Sequence, residues 1–298
     1  MDLGMSSDLF SKILKLSESV SGKQKLLAEF VLSHFEELPF LTSTQIAAKG
    51  GVSEATVVRF AKLLGYRGLP ELKDEFQKLI LRSLGPHERL KRTALSGSGD
   101  LHDLITATFD REVRNLKDTQ KRLSPEILKE IAETLIHSRS RYIVGLRASS
   151  ACAFLLGHYL SHILPRVVTI LDGDTKLFEG LKSIGREDVL VLISYSRYTR
   201  ASIQALEYGR DRGAKTIAIT DTASSPPAQI ADQHVVAPSA LASFANSYTA
   251  CIVVINLLVG LIAERNKDES ERLLGEWDSA LQHLNAFYKL RTAERADE

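Results

Sequence analysis

The feature that most constrains this chain is a change of hydrophobic period at Arg141. Before it, apolar residues recur at helical spacing. After it come five short β-branched runs, "RYIVGL", "RVVTIL", "DVLVLIS", "KTIAIT" and "HVVA", separated by helical stretches. Near-continuous apolar strands alternating with helices require a parallel sheet covered on both faces. The chain therefore divides into an all-α unit over 1–80, a helical connector over 81–125, an α/β unit over 126–265 and a C-terminal helical segment over 266–298. In that last segment, Asp268 to Leu290 reads as one long helix.

Within the helical part, "SGKQKLLAEFVLSHF" opens with Ser21 and Gln24 at capping-box spacing. Leu26, Leu27, Phe30, Val31 and Phe35 follow at helical spacing. Pro70 stands where a new helix would begin. "ALSGSGD", Ala94 to Asp100, reads as a linker, and helices are expected over Leu101–Arg122 and Pro125–His137.

Between them lies "GGVSEATVVRFAKLLGYRGLPELK". A helix-turn-helix needs small residues where its helices cross, a glycine at the turn and apolar anchors in the second helix. Ile46 and Ala47 supply the crossing, Gly51 the turn and Val52 the first anchor. Ser53 is a good N-cap, and Val57, Phe60, Ala61 and Leu64 point inward. Ser53, Glu54, Ala55, Thr56, Arg59 and Lys62 then face outward, with Val58 at the margin. Small polar residues at a helix start can approach base edges, and Arg59 and Lys62 can reach bases or phosphates. Tyr66 and Arg67 are candidate backbone contacts. A helical hairpin packing only within its own domain would need the same apolar set, so the outward residues carry the functional reading.

Net charge over the whole chain is +1 and gives no argument for a polyanionic partner. From Ser43 to Arg92, however, ten Lys/Arg face five Asp/Glu, a local +5 that suits DNA and equally a solvated face. Cys152 and Cys251 lie in apolar surroundings without metal-ligand spacing, as packed thiols of a reducing compartment. No basic-then-apolar leader opens the sequence. "ACIVVINLLVGLIA", Ala250 to Ala263, is too short to span a bilayer and fits a buried helix. A cytoplasmic protein without membrane contact, metal or cofactor is expected.

In the α/β half, two strand ends carry hydroxyls. Ser149 and Ser150 follow the strand that ends near Gly145; Ser194, Ser196 and Thr199 follow the strand Val189 to Ile193. Ligands of parallel sheets sit beyond the carboxyl ends of strands, where helix N-termini expose N–H groups. A serine there can cap a helix, bind an anion, or do both. Ser243, Asn246 and Ser247 in the later "APSALASFANSYTA" are candidate sugar contacts and equally loop or capping residues.

With both halves read, the chain resembles the RpiR/MurR family of bacterial transcription regulators, a helix-turn-helix domain joined to a sugar isomerase (SIS) domain. The "GGVSEATVVRFAKLLGYRGLPELK" stretch is similar to the family's DNA-binding signature, "SYSRYTR" to the SIS phosphate loop, and "AITDTASSPPAQIAD" to the segment after it. The resemblance covers about residues 8 to 265. It implies a flavodoxin-like three-layer fold on a parallel five-stranded sheet, a duplex operator, a small anionic sugar effector and a homodimer or homotetramer built through the SIS domains. By position, Ser149 and Ser150 fall in the first loop, and Ser194, Ser196 and Thr199 in the second. Arg147 and Arg197 stand where many sugar-binding SIS loops have glycine. An arginine there loses close backbone approach to a phosphate but can add a charge-assisted contact.

A sugar-phosphate aldose–ketose isomerase with an accessory helical domain is the alternative. Such chemistry needs a base beside the reacting carbon. Glu179, His158 and His162 are the candidates, but none has the accompanying groups, and no catalytic residue is assigned.

Overall fold

The computed structural model describes residues 8–35, 37–83, 86–94, 100–240 and 244–286. The helical half comprises α1 (Asp8–Ser19), α2 (Lys23–Ser33), α3 (Ser43–Lys49), α4 (Glu54–Leu63) and α5 (Leu69–Ser83). Ile13, Leu27, Ile46, Phe60 and Phe76 are fully buried among them. Two expectations for α2 fail. Gly22, not Ser21, precedes the helix, and it has no side-chain cap. Leu26 is exposed while Ala28 takes an inward place, so the buried stripe is Leu27, Ala28 and Val31.

The ends of α3 and α4 follow one rule. Gly51 (φ 64°) and Gly65 (φ 90°) adopt the left-handed conformation that L side chains avoid. After α3, Val52 N–H donates to Ala47 O at 2.9 Å and Gly51 N–H to Ala48 O at 3.4 Å. After α4, Tyr66 N–H donates to Ala61 O and Gly65 N–H to Lys62 O, both at 3.0 Å. These are two Schellman terminations, and they fix how the chain enters and leaves α4.

Connector helices α6 (Pro86–Ala94) and α7 (Leu101–Arg122) follow, and then α8 (Pro125–His137), which packs on the sheet. The expected bounds of the last two are met, with Asp100 and Ser124 as their N-caps. Most of the proposed linker, 95–99, lies outside the described residues.

Strands β1 (Arg141–Gly145), β2 (Val167–Ile170), β3 (Val189–Ile193), β4 (Lys215–Thr220) and β5 (Gln233–Val236) form one parallel sheet in the order β2-β1-β3-β4-β5. Alternate residues serve opposite faces. Ile143, Val191 and Ile193 pack with α8, α9 (Ser150–Ile163) and α13 (Thr249–Arg265). Tyr142, Val144, Leu190 and Leu192 pack with α10 (Thr175–Leu181) and α11 (Arg200–Asp211). A short α12 (Pro226–Ile230) precedes β5, and α14 (Lys267–His283) is the last described helix. The terminal helix expected to reach Leu290 thus ends at His283, and the last residues of that span lie outside the described ones.

Two buried charges sit at the amino-terminal edge of the sheet. Arg141 donates to Leu135 O at 2.6 Å, Pro165 O at 3.0 Å and Ile136 O, closing the end of α8. Asp188 accepts from Arg139 Nε (2.9 Å) and Nη2 (2.6 Å) and from Gly185 N–H (2.8 Å). Burial alone would raise its carboxyl, but these donors outweigh it and hold the group below its ordinary value.

The apolar run 250–263 is not buried all round. Ala250, Cys251, Val254, Ile255 and Leu258 face the core, whereas Ile252, Val253, Asn256 and Leu257 are exposed. Among the described residues no single helix is long and apolar enough to cross a membrane.

Candidate functional site

Helix α4 presents two faces. Val57, Phe60 and Ala61 are buried, while Ser53, Glu54, Ala55, Arg59 and Lys62 are exposed and Thr56 is half-buried. Several outward residues already have work. Ser53 caps the helix, accepting from Thr56 N–H at 3.3 Å, and its hydroxyl lies 2.8 Å from Thr56 Oγ1. Glu54 accepts from Ser43 Oγ (2.6 Å) and Thr44 Oγ1 (2.9 Å), which ties α4 to the start of α3 and holds its carboxyl below the usual range. Arg67 is exposed, and its backbone N–H donates to Glu71 at 2.6 Å. Tyr66 is half-buried against the helical core. The cationic reach of this face is therefore Arg59 and Lys62. Beside it, Ser43, Val58 and Pro70 help line a surface cleft of about 610 Å³ where the starts of α3 and α5 converge.

In the other half, β1 and β3 are neighbours whose following helices, α9 and α11, lie on opposite faces of the sheet. Their N-termini meet at the crevice between the two strand ends, the topological switch point of this strand order. The fold brings both hydroxyl clusters to it. Ser149, Ser194 and Ser196 are buried, and Ser150 and Thr199 half-buried. Thr199 caps α11, accepting from Ser202 N–H at 3.1 Å. Gly145 allows the first loop to fold tightly on the strand end, because a Cβ there would lie 2.5 Å from Ala153 Cβ and 2.7 Å from Ser149 O.

The two arginines of the crevice differ. Arg147 and Arg197 are both exposed, and Arg147 has φ 55°. Glycine occupies that left-handed region without strain, whereas a side chain costs about 1–2 kcal/mol there. The substitution visible in the sequence is thus a strained position in the fold.

Other residues complete the crevice; sequence reasoning singled out Asn246 and Ser247 as candidate sugar contacts, but not Asp221, Tyr248 or Arg89. Asp221, buried at the end of β4, accepts from Ser196 Oγ at 2.9 Å, Tyr198 OH at 2.6 Å and Thr220 Oγ1 at 3.3 Å. Tyr248 packs edge-on against Tyr195, with ring centroids 5.2 Å apart. Burial raises both phenols, and Ser149 and Asn246 beside Tyr248 partly offset the rise there. Asn246 also donates to Ser196 O and accepts from Arg89 Nη1 at 2.8 Å. Ser247 donates to Glu112 Oε2 at 2.7 Å. Ser243 lies outside the described residues. The one signal for Asp221 was its place directly after a strand.

The isomerase candidates are elsewhere. Glu179 is exposed on α10. His158 and His162 lie 4.5 Å apart on α9, with His162 stacked on Trp277 of α14. Burial, and then the His158 charge, lowers the His162 pKa.

Residues 7–80 match the helix-turn-helix domain of the rpiR family, and residues 134–261 match the SIS domain. The sugar isomerase domain of an RpiR transcription factor from Sphaerobacter thermophilus is 31% identical, covering 59% of this chain and 98% of that one, with TM-score 0.57. The chain belongs to the RpiR family. Vibrio vulnificus NanR, solved with ManNAc-6P, shares the fold over 93% of this chain and 99% of its own at 22% identity and TM-score 0.57. A helix-turn-helix-type transcriptional regulator of Caldanaerobacter subterraneus subsp. tengcongensis is 25% identical over 272 residues, 90% of this chain and 95% of that one. This RpiR member is a transcription regulator with an SIS domain.

Proposed function

We propose that α4 reads a duplex operator and that a sugar phosphate in the β1/β3 crevice changes operator affinity, controlling carbohydrate catabolism genes. The observation that carries the reading is convergence. Two helix N-termini and the hydroxyls of Ser149, Ser150, Ser194, Ser196 and Thr199 meet at one switch point. Helix N-termini favour anions, and exposed Arg147 and Arg197 add cations at the rim. The sugar-phosphate class is supported by two proteins of this fold, NanR with ManNAc-6P and an Escherichia coli CFT073 protein solved with another phosphosugar (20% identity, covering 61% of this chain and 99% of that one, TM-score 0.51).

On the DNA side, Ser53, Ala55 and Thr56 approach base edges while Arg59 and Lys62 reach bases or phosphates. Glu54 positions α4, and Tyr66 and Arg67 border it. Arg59→Ala should lower operator affinity and leave effector binding intact; wild-type affinity would mean that another helix enters the groove.

Self-association completes the reading. The first two turns of α7, from Leu101 to Ala107, are exposed on every face, and Phe109 is 70% exposed. Helix α13, packed beside α7, offers Ile252, Val253 and Leu257 without a charge among them. Exposed apolar side chains of this kind suit an interface, and a second copy would pair two reading helices. Sedimentation of the full chain should show a dimer or tetramer that Phe109→Glu dissociates.

A further inference from the structure

We infer that occupancy of the effector crevice is reported to the connector through one line of side chains, Asp221–Ser196–Asn246–Arg89, in which Asn246 and Arg89 are positioning residues. The inference rests on the reading of the crevice as an anion site and of α4 as a DNA reader.

Ser196 is held at two points. Its hydroxyl donates to Asp221, and its carbonyl accepts from the Asn246 amide. The same amide accepts from Arg89, a nearly buried arginine on α6, the first connector helix after the DNA-reading core. The segment carrying Asn246 is also fastened to α7, by Ser247 to Glu112 and by Asn115 Nδ2 to Ala240 O at 2.7 Å. Between β5 and α13 the chain thus touches the effector loop through Asn246 and the connector at three places.

A serine hydroxyl has one proton to give. Asp221 holds it at 2.9 Å, and an anion entering the crevice competes for it. The alternatives are discrete: Ser196 donates to the buried carboxylate or to the effector. When the effector wins, Asp221 keeps the Tyr198 hydroxyl at 2.6 Å, so the carboxylate is not stripped of donors. Ser196 lies in the short span between buried Ser194 and Thr199, the anchored α11 cap, and its hydroxyl and carbonyl are the two ends through which the line passes. Asn246 donates with one end of its amide and accepts with the other, so a shift of Ser196 O is passed to Arg89. A buried guanidinium follows its acceptor because leaving it is expensive.

Coupling of this kind is reciprocal. Whatever the operator does to α6 must be felt at Ser196, so the test needs no effector. The full chain is used to select a tight duplex from a random pool. Amide hydrogen exchange is then compared with and without that duplex, at a concentration saturating for each protein. In the wild type, exchange across 194–199 should change severalfold on duplex binding. Asn246→Ala and Arg89→Ala should abolish the change, and Arg89→Lys, which keeps a cationic donor, should retain part of it. Should Asn246→Ala fail to fold, Asn246→Asp exchanges the donor to Ser196 O for a charged acceptor while keeping an oxygen for Arg89, and must also lose the response. A wild-type loop indifferent to the duplex, or an Asn246→Ala loop responding as the wild type does, overturns the relay. Failure to select any duplex overturns the DNA reading beneath it.

Discussion

The two ends of this regulator use polar residues in different ways. On α4 the two cations stand apart from the residues that hold the helix: Phe60 and Ala61 pack it, Ser53 and Glu54 cap and fasten its start, and Arg59 and Lys62 stand in solvent. In the crevice the residues that would meet a ligand also hold the fold. Ser196 satisfies a buried carboxylate and Thr199 caps α11. Arg59 and Lys62 can change without cost to folding. A crevice of this kind cannot, and that is what lets its occupancy be felt elsewhere.

The largest expected effect tests the first half of that contrast. Arg59→Ala with Lys62→Ala should weaken operator binding about 100-fold, at about 1–3 kcal/mol per lost contact, and leave the melting temperature unchanged. Anisotropy and a thermal melt on the same preparation check both; a lowered melting temperature would break the contrast. Next, Ser196→Ala with Thr199→Ala should abolish stabilisation by a sugar phosphate and also cost the free protein about 1–2 kcal/mol, through the lost cap and the lost donor to Asp221. Full stability of that double variant in denaturant titration would show that the two roles are separable after all.

Arg147→Gly sharpens the comparison from the other side. Relief of the left-handed strain should stabilise the free protein by about 1 kcal/mol while weakening sugar-phosphate binding, as calorimetry would show. The smallest effect at neutral pH lies away from both regions. Asp188 has a depressed folded-state pKa, so its contribution is complete at neutral pH and is lost as the pH falls through that value, below about 3.9. Because Arg139 is partly exposed, Asp188→Asn should cost about 1 kcal/mol at pH 7 and progressively less as the pH falls below about 3.9, read from acid unfolding curves.

How much was legible in the sequence follows the same division. The five strands, α7, α8 and the glycine turn before α4 declare themselves through period and backbone chemistry, which act locally. Gly22 in place of Ser21 and exposed Leu26 were not legible, because tertiary contacts of α2 decide its start and inward face. The hydroxyls of the two loops could be placed at strand ends from order alone. Most of their partners could not, since Asp221, Tyr248 and Arg89 lie 25 or more residues away along the chain; Asn246 was legible as a candidate sugar contact but not as the partner of Ser196 O. The exposed face of α13 was hidden for another reason: apolar residues surround that helix, and periodicity cannot tell core from interface.

The most direct test of the account is the operator dissociation constant of the wild-type chain, measured with and without a panel of sugar phosphates that includes ManNAc-6P. At least one should shift it tenfold or more, and Ser196→Ala with Thr199→Ala should remove the shift. An operator affinity that no sugar phosphate moves would contradict the claim that this reader of DNA answers to an anion in the β1/β3 crevice.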